Sequence, residues 1–134
     1  MKMNTYVNFR GNCAEAFRYY EKHLGAKVGT VMTHAEQPNV NPDWKNAVLH
    51  ARLFFRDVEL WAADIPNAEP MRSAYLTLRM DTDKEAERVF SALSDSGQVL
   101  MPIREEFFAS RFGQVRDRFG INWMILHERP VSPR

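Results

Sequence analysis

Ala47 to Pro66 reads AVLHARLFFRDVELWAADIP, and the fold follows from how this stretch pairs with itself. Two apolar runs flank Arg56-Asp57, the pattern of a β-hairpin with a two-residue turn. Residues equidistant from the turn stand opposite each other on one face. Phe55 with Val58, Leu53 with Leu60 and Ala51 with Ala62 make a wholly apolar face, suited to packing on a helix. The other face pairs Phe54 with Glu59, Arg52 with Trp61 and His50 with Ala63, so it carries a base, an acid, an imidazole and two aromatics. One greasy face and one chemically mixed face suggest a half-closed barrel around a cavity. A tight turn forces a positive φ on Arg56, at a cost of roughly 1 kcal/mol; a longer turn or a bulge is the alternative.

Upstream of the hairpin, Met3 to Arg10 alternates as a strand, Val7 and Phe9 against Tyr6 and Asn8. Gly11 turns the chain. Asn12 with Glu15 three residues on forms a capping-box pattern, and Cys13, Ala16, Phe17, Tyr20 and Leu24 follow at helical spacing, with Gly25 as the stop. Ala26 to His34 reads as a second strand. Ala35 to Asn46, polar and carrying Pro38 and Pro42, reads as a surface loop.

Downstream, after a linker marked by Pro66, Asn67 and Pro70, the order repeats. Ser73 to Met80 alternates as a strand. Thr82 with Glu85 caps a second helix whose apolar face is Ala86, Val89, Phe90 and Leu93, and Gly97 ends it. Gln98 to Phe107, Arg111 to Asp117 and Ile121 to Glu128 then read as strands. The expected fold is therefore α+β: two βαβββ modules, about 1–66 and 71–128, forming half-open curved mixed sheets around a cavity within one domain. Residues 129–134 are expected as a loose tail.

The totals bound the function classes. A chain of 134 residues with 45% hydrophobic and 26% charged residues is globular in composition. A net charge of +1 gives no electrostatic drive toward nucleic acid or anionic membrane, and no apolar run approaches the roughly 18 residues of a membrane span. The single Cys13 excludes an intrachain disulfide and a thiolate zinc cluster. MKMNTYVNF lacks a signal-peptide core, so cytoplasmic residence is the expectation. There is no phosphate-binding Gly-rich loop and no nucleophile elbow.

Three stretches carry a family resemblance: FRGNCAEAFRYYEKHLGA, VLHARLFFRDVELWAADIP and RFGQVRDRFGINWMI. Together they resemble the PhnB-like branch of the vicinal oxygen chelate superfamily, which includes glyoxalase I, bleomycin-resistance proteins and extradiol dioxygenases. The resemblance runs from about Tyr6 to Ile125 and implies the glyoxalase/bleomycin-resistance fold. The chain departs from the branch at Phe108-Ala109-Ser110, where Phe-Trp-Gly is usual, and at Asp117-Arg118-Phe119-Gly120-Ile121, where Asp-Pro-Phe-Gly-His is usual. The metal enzymes of the superfamily place four ligands on the inner face. Carried over one by one, these fall at Asn4 (or Thr5), Glu59, Tyr75 and Met124. Only Glu59 is an ordinary ligand for a hard or borderline cation, so no tightly bound metal and no cofactor are expected.

The resemblance thus implies a cavity that binds a small organic molecule, as in the bleomycin-resistance members, with Asn8, His50, Arg52, Glu59, Trp61 and Tyr75 as its lining. The other function class is a divalent-metal-dependent lyase, transferase or dioxygenase with an atypical ligand set. For single residues two readings stand side by side. Glu59 is a general base or simply the ion-pair partner of Arg52, His50 a proton shuttle or a wall residue bonded to backbone, and Trp61 and Tyr75 stack a ligand or fill space. Cys13, on the buried helix face, reads as a core thiol. His23 and His127 read as solvated element ends, and Arg104, Arg111 and Arg116 as a cluster able to attract an anion. Exposed sheet edges and the aromatics from Phe107 to Phe112 lead us to expect a homodimer.

Overall fold

The hairpin forms with the register its apolar pattern requires. In the computed structural model, which describes residues 1–130, β3 (Val48–Phe55) and β4 (Val58–Asp64) pair antiparallel with Ala51 opposite Ala62, Arg52 opposite Trp61, Leu53 opposite Leu60, Phe54 opposite Glu59 and Phe55 opposite Val58. Of the two turn residues Arg56 alone has a positive φ, 57°, the pattern of a II′-type turn. The strain expected of a two-residue turn is present and no bulge relieves it.

The chain divides into two compact units, one over Met1–Glu69 and the other from Pro70 on. In the first, β1 (Thr5–Phe9) runs parallel to β4, and β2 (Lys27–Thr33) antiparallel to β3, giving the order β1-β4-β3-β2. Helix α1 (Cys13–Leu24) lies over one side and buries Cys13, Ala16, Phe17 and Tyr20. Val7, Phe9, Ala51, Leu53, Leu60 and Ala62 are buried too, so the apolar face of the hairpin is the core face. Gly25 takes φ 69° as the left-handed stop of α1. Gly29 sits where β2 bulges, and a Cβ there would collide with the Phe54 ring.

The second unit repeats the topology. β5 (Leu76–Arg79) runs parallel to β8 (Asn122–Glu128), and β6 (Gln98–Glu106) and β7 (Ala109–Arg116) complete a sheet of order β5-β8-β7-β6. Helix α2 (Asp83–Ser94) buries Ala86, Val89, Phe90 and Leu93, and Val115, Trp123 and Ile125 are buried with them. Thr82 caps α2 by accepting from the Glu85 N–H at 3.0 Å. Two sheets of four strands with mixed pairing, neither closed into a barrel, are the expected fold class.

Several local expectations are corrected. The Asn12 side chain makes no cap bond at α1; Asp64, reaching over from β4, takes that role. The β5 strand begins at Leu76 rather than Ser73, which leaves Tyr75 just outside it. The polar loop before the hairpin holds two short 3₁₀ turns, His34–Glu36 and Pro42–Trp44. At the C-terminal end, Arg129 is tied down: its Nε donates to the Glu106 carbonyl at 3.2 Å. Residues 131–134 of the expected tail lie outside the described residues.

Candidate functional site

Strand alternation puts Asn4, Tyr6, Asn8, His50, Arg52, Phe54, Glu59 and Trp61 on the side of the first sheet away from α1. Three of these gather around the guanidinium of a fourth, Arg52. The Arg52 Cζ lies 4.1 Å from the centre of the Trp61 ring, a cation–π contact. Arg52 Nε donates to His50 Nε2 at 3.2 Å. Arg52 Nη1 lies 3.9 Å from Glu59 Oε1, an ion pair longer than a hydrogen bond. The His50 ring meets Trp61 edge-on at 5.3 Å. All four groups are half-buried, a setting in which a charged or aromatic side chain still reaches a ligand.

Tyr6 joins them. Its hydroxyl lies 3.4 Å from His50 Nδ1, and its ring stands 5.9 Å from the imidazole. Tyr6 pairs with Trp61, and Asn8 with Ala63. Ala63, with no side chain beyond Cβ, lets the Tyr6–His50 pair span β4. Burial pushes the Tyr6 phenol up from its ordinary value, with a smaller contribution from Cys13, so the hydroxyl is protonated at neutral pH. The Trp61 Nε1 is buried with no hydrogen-bond partner among the described residues. Such a donor ordinarily finds a partner, and leaving it bare costs on the order of 1–3 kcal/mol.

Of the sequence-predicted residues, His50, Arg52, Glu59 and Trp61 are thus brought together. Asn8 shares their face as an exposed residue. Tyr75 belongs to the second unit, ahead of β5. Sequence reasoning missed Tyr6, although the same alternation that selected Asn8 puts Tyr6 on that face, two residues nearer Trp61. Asn4 also lies here, its Nδ2 3.5 Å from the Glu59 carbonyl.

The four carried-over metal positions do not make a donor set. In the first unit Asn4 and Glu59 stand together, but the Glu59 carboxylate faces the Arg52 guanidinium. In the second unit the positions are Tyr75 and the thioether Met124. Among the described residues no group of three or more His, Cys, Asp or Glu is placed to hold a metal ion.

Other polar groups prove structural. Asp64, 1% exposed, accepts from the Gly11 and Cys13 N–H groups through Oδ1 at 2.9 and 3.0 Å and from the Val48 N–H through Oδ2 at 2.8 Å. His34 Nε2 lies 3.2 Å from the Asp64 carbonyl, so His34 belongs to the same anchor. Asp117, also buried, accepts from the Phe119 and Ile121 N–H groups and from Trp123 Nε1. Burial, then the charge of Asp64, pushes the Cys13 thiol up to about 12, which makes it an inert core thiol.

His127 is not the solvated end expected of it. Its Nδ1 lies 2.8 Å from Asp83 Oδ1 and 2.9 Å from Ser110 Oγ, and the Ser110 hydroxyl bonds Asp83 as well. The Ser110 bond, then the His127 bond, holds the Asp83 carboxyl below its usual range. Both partners meet the same ring nitrogen, whereas a catalytic relay uses the two nitrogens separately; this cluster pins the start of α2 to β7 and β8. A recess of about 340 Å³ lined by Arg79, Met80, Asp81, His127 and Glu128 opens beside it. No predicted site residue lines that recess, and its Arg79 and Glu128 already pair at 3.3 Å; the aromatic and ionic groups that converge do so on the first sheet. Arg104, Arg111 and Arg116 do not form a shared anion site. Arg104 pairs with Glu106, Arg111 with Asp83 and Glu87, and Arg116 bonds Asn122 and the Met71 carbonyl.

Comparison with known proteins gives a consistent picture. The family model described as 3-demethylubiquinone-9 3-methyltransferase matches residues 1–126. The Escherichia coli protein YjdN is 30% identical, over 93% of this chain and 94% of its own length. The crystal structure of protein PA1353 from Pseudomonas aeruginosa is 37% identical and superposes with a TM-score of 0.87, covering 97% of this chain and 99% of that one. A PhnB protein from Bacillus cereus, at 22% identity and a TM-score of 0.81 over 95% of this chain and 99% of that one, shares the fold.

Proposed function

This chain belongs to the 3-demethylubiquinone-9 3-methyltransferase family, PhnB-like members of the vicinal oxygen chelate superfamily, and on that premise we propose that it binds a small organic molecule on the open face of its first sheet. The observation that carries the reading is Arg52: its guanidinium is stacked on Trp61 and held by His50, yet most of its N–H groups are uncommitted. A purely structural arginine spends those donors on carboxylates or carbonyls, as Arg111 and Arg116 do here. Trp61, His50 and Tyr6 supply flat surfaces, Arg52 and Glu59 the polar groups that orient a ligand. Asn8 and, in the second unit, Tyr75 are assigned to binding on the sequence argument alone.

Neither a resident metal nor a cofactor is part of this reading, because the donors at the family's metal positions do not suit one. Edge strands β2 and β6, with Phe107 91% and Phe108 43% exposed, support a second copy of the chain as the protein partner. No helix among the described residues is long and apolar enough to cross a membrane, and we assign the protein to the cytoplasm.

Native mass spectrometry of protein purified without chelator tests these assignments together. The expected species is a dimer carrying a small organic adduct, with no equivalent of metal. An adduct that survives Arg52→Met, or a metal equivalent lost on Glu59→Ala, overturns the reading.

A further inference from the structure

The hydrogens on the open face of the first sheet can be assigned. Arg52 Nε always carries a hydrogen and donates it to His50 Nε2. His50 Nε2 is therefore the acceptor, and the neutral imidazole keeps its one proton on Nδ1. That nitrogen faces Tyr6 Oη at 3.4 Å, so the phenol oxygen accepts and its own hydrogen turns away from His50.

Tyr6, Trp61 and Arg52 share one row across three strands, because Tyr6 pairs with Trp61 and Trp61 with Arg52. Two spare donors flank the indole: the Tyr6 O–H, and the Arg52 Nη groups, which have no acceptor within hydrogen-bond distance among the described residues. The one carboxylate nearby, Glu59, stands in the next row at 3.9 Å. A row of spare donors selects a ligand rich in acceptors, since a ligand without them leaves the donors unpaired.

We propose that the ligand of this face is a flat organic carboxylate, its oxygens taken by the Nη edge of Arg52 and the Tyr6 hydroxyl and its body lying against the rings of Trp61 and His50. The proposal rests on the reading of this face as a binding site and names its ligand class. The cation–π contact with Trp61 and the Nε bond to His50 hold the guanidinium in place and leave its Nη edge as a fork; a carboxylate matches a fork with two parallel bonds, whereas a neutral amide offers a single acceptor. Trp61 Nε1 is closed to water, so the indole N–H reports occupancy through the ring that the ligand touches and does not itself bond the ligand.

The test follows the Trp61 indole N–H in two-dimensional NMR, its signal identified by its loss in Trp61→Phe. Benzoate, its neutral isostere benzamide, and inorganic phosphate are titrated separately. Benzoate is expected to shift the Trp61 signal saturably and to bind about tenfold or more tighter than benzamide, with phosphate weaker than benzoate. Arg52→Met is expected to remove that preference by weakening benzoate far more than benzamide, and Tyr6→Phe to weaken benzoate by several-fold. Arg52→Lys, which keeps the charge but not the fork, is expected to fall between. Benzamide equal to benzoate, or phosphate equal to benzoate, overturns the flat-carboxylate proposal and leaves the site reading standing. Failure of both organic probes to move the Trp61 signal overturns the site reading as well.

Discussion

The two units carry the same elements in the same order, and their open faces differ. Across the first sheet one row reads Tyr6, Trp61, Arg52. Across the second, a corresponding row reads Thr77, Met124, Gln114, Met101. The core faces, by contrast, are alike: a twelve-residue helix with four buried residues lies over buried strand positions in each. A duplicated topology keeps its packing chemistry on both sides because both cores need it. Nothing in the fold requires Arg52 to stack on Trp61, which is why that cluster, and not the helix side, is where ligand chemistry is to be sought.

The sharpest way to break this contrast is at Asp64, on the core side. Asp64→Ala strips the acceptor from three backbone N–H groups, at Gly11, Cys13 and Val48. Each bond to a charged acceptor is worth roughly 1.5–3 kcal/mol, and partial rehydration of the donors offsets some of the loss, so a destabilisation of about 4 kcal/mol is expected in urea denaturation. A loss under about 1 kcal/mol would show that the anchor is not what joins β1, α1 and β3.

Adjacent residues in β4 give the next largest effect and test the alternation directly. Leu60, 4% exposed, faces α1, and Leu60→Ala is expected to cost roughly 2–5 kcal/mol through the cavity it leaves. Trp61 faces the other way, and Trp61→Ala is expected to cost about 1 kcal/mol while weakening benzoate binding measured by calorimetry. Thermal melts of the two variants decide it; the reverse order would mean the register is off by one and the site faces the helix.

That register was legible in the sequence because period-2 alternation around Arg56-Asp57 admits one pairing, and the apolar face then fixes which side is core. Helix α2 and its Thr82 cap were legible for the same kind of reason: cap and apolar period are local. What the sequence hid is long-range. Asn12 has the composition of a cap, but the carboxylate that does the capping comes from Asp64, 51 residues from Cys13. His127 resembles a solvated strand end in sequence because its partner Asp83 is 44 residues away. Alternation alone does not separate Asn8 from Tyr6, which share one face; only the Trp61 pairing and the small Ala63 between them and His50 single Tyr6 out. Tyr75 has the pattern of a strand residue because alternation extends back to Ser73, whereas pairing with β8 begins at Leu76.

Alkaline pH separates the core side from the open side more gently. With its pKa raised from 9.0 to about 12, the Cys13 thiol stays protonated in the folded chain while it ionises in the unfolded one. The sign is that stability from this group is complete below pH 9, falls as pH rises beyond it, and is gone once the folded value is passed. Urea midpoints measured from pH 8 to 10.5 are expected to decline more steeply in the parent than in Cys13→Ala. Parallel slopes would show that the thiol is not kept neutral by burial.

The smallest expected effect lies where both faces of the hairpin end, at the turn. Arg56 holds φ 57°, a conformation that costs an L-residue about 1–2 kcal/mol and glycine almost nothing. Glycine also loses more conformational freedom on folding, by roughly 0.5–1 kcal/mol. The two terms oppose, and Arg56→Gly is expected to stabilise the protein by about 0.5 kcal/mol. Arg56 is exposed and lies in the turn, beyond the last strand pair Phe55–Val58 and away from the Arg52–Trp61 pair, so benzoate affinity should not change. Arg56→Ala, which keeps the side-chain strain without the arginine, is expected to leave stability near the parent value and so isolates the backbone as the cause. If Arg56→Gly instead loses stability, the turn is held by the arginine side chain, and the strain argued from its φ is offset by contacts of that side chain rather than borne by the hairpin.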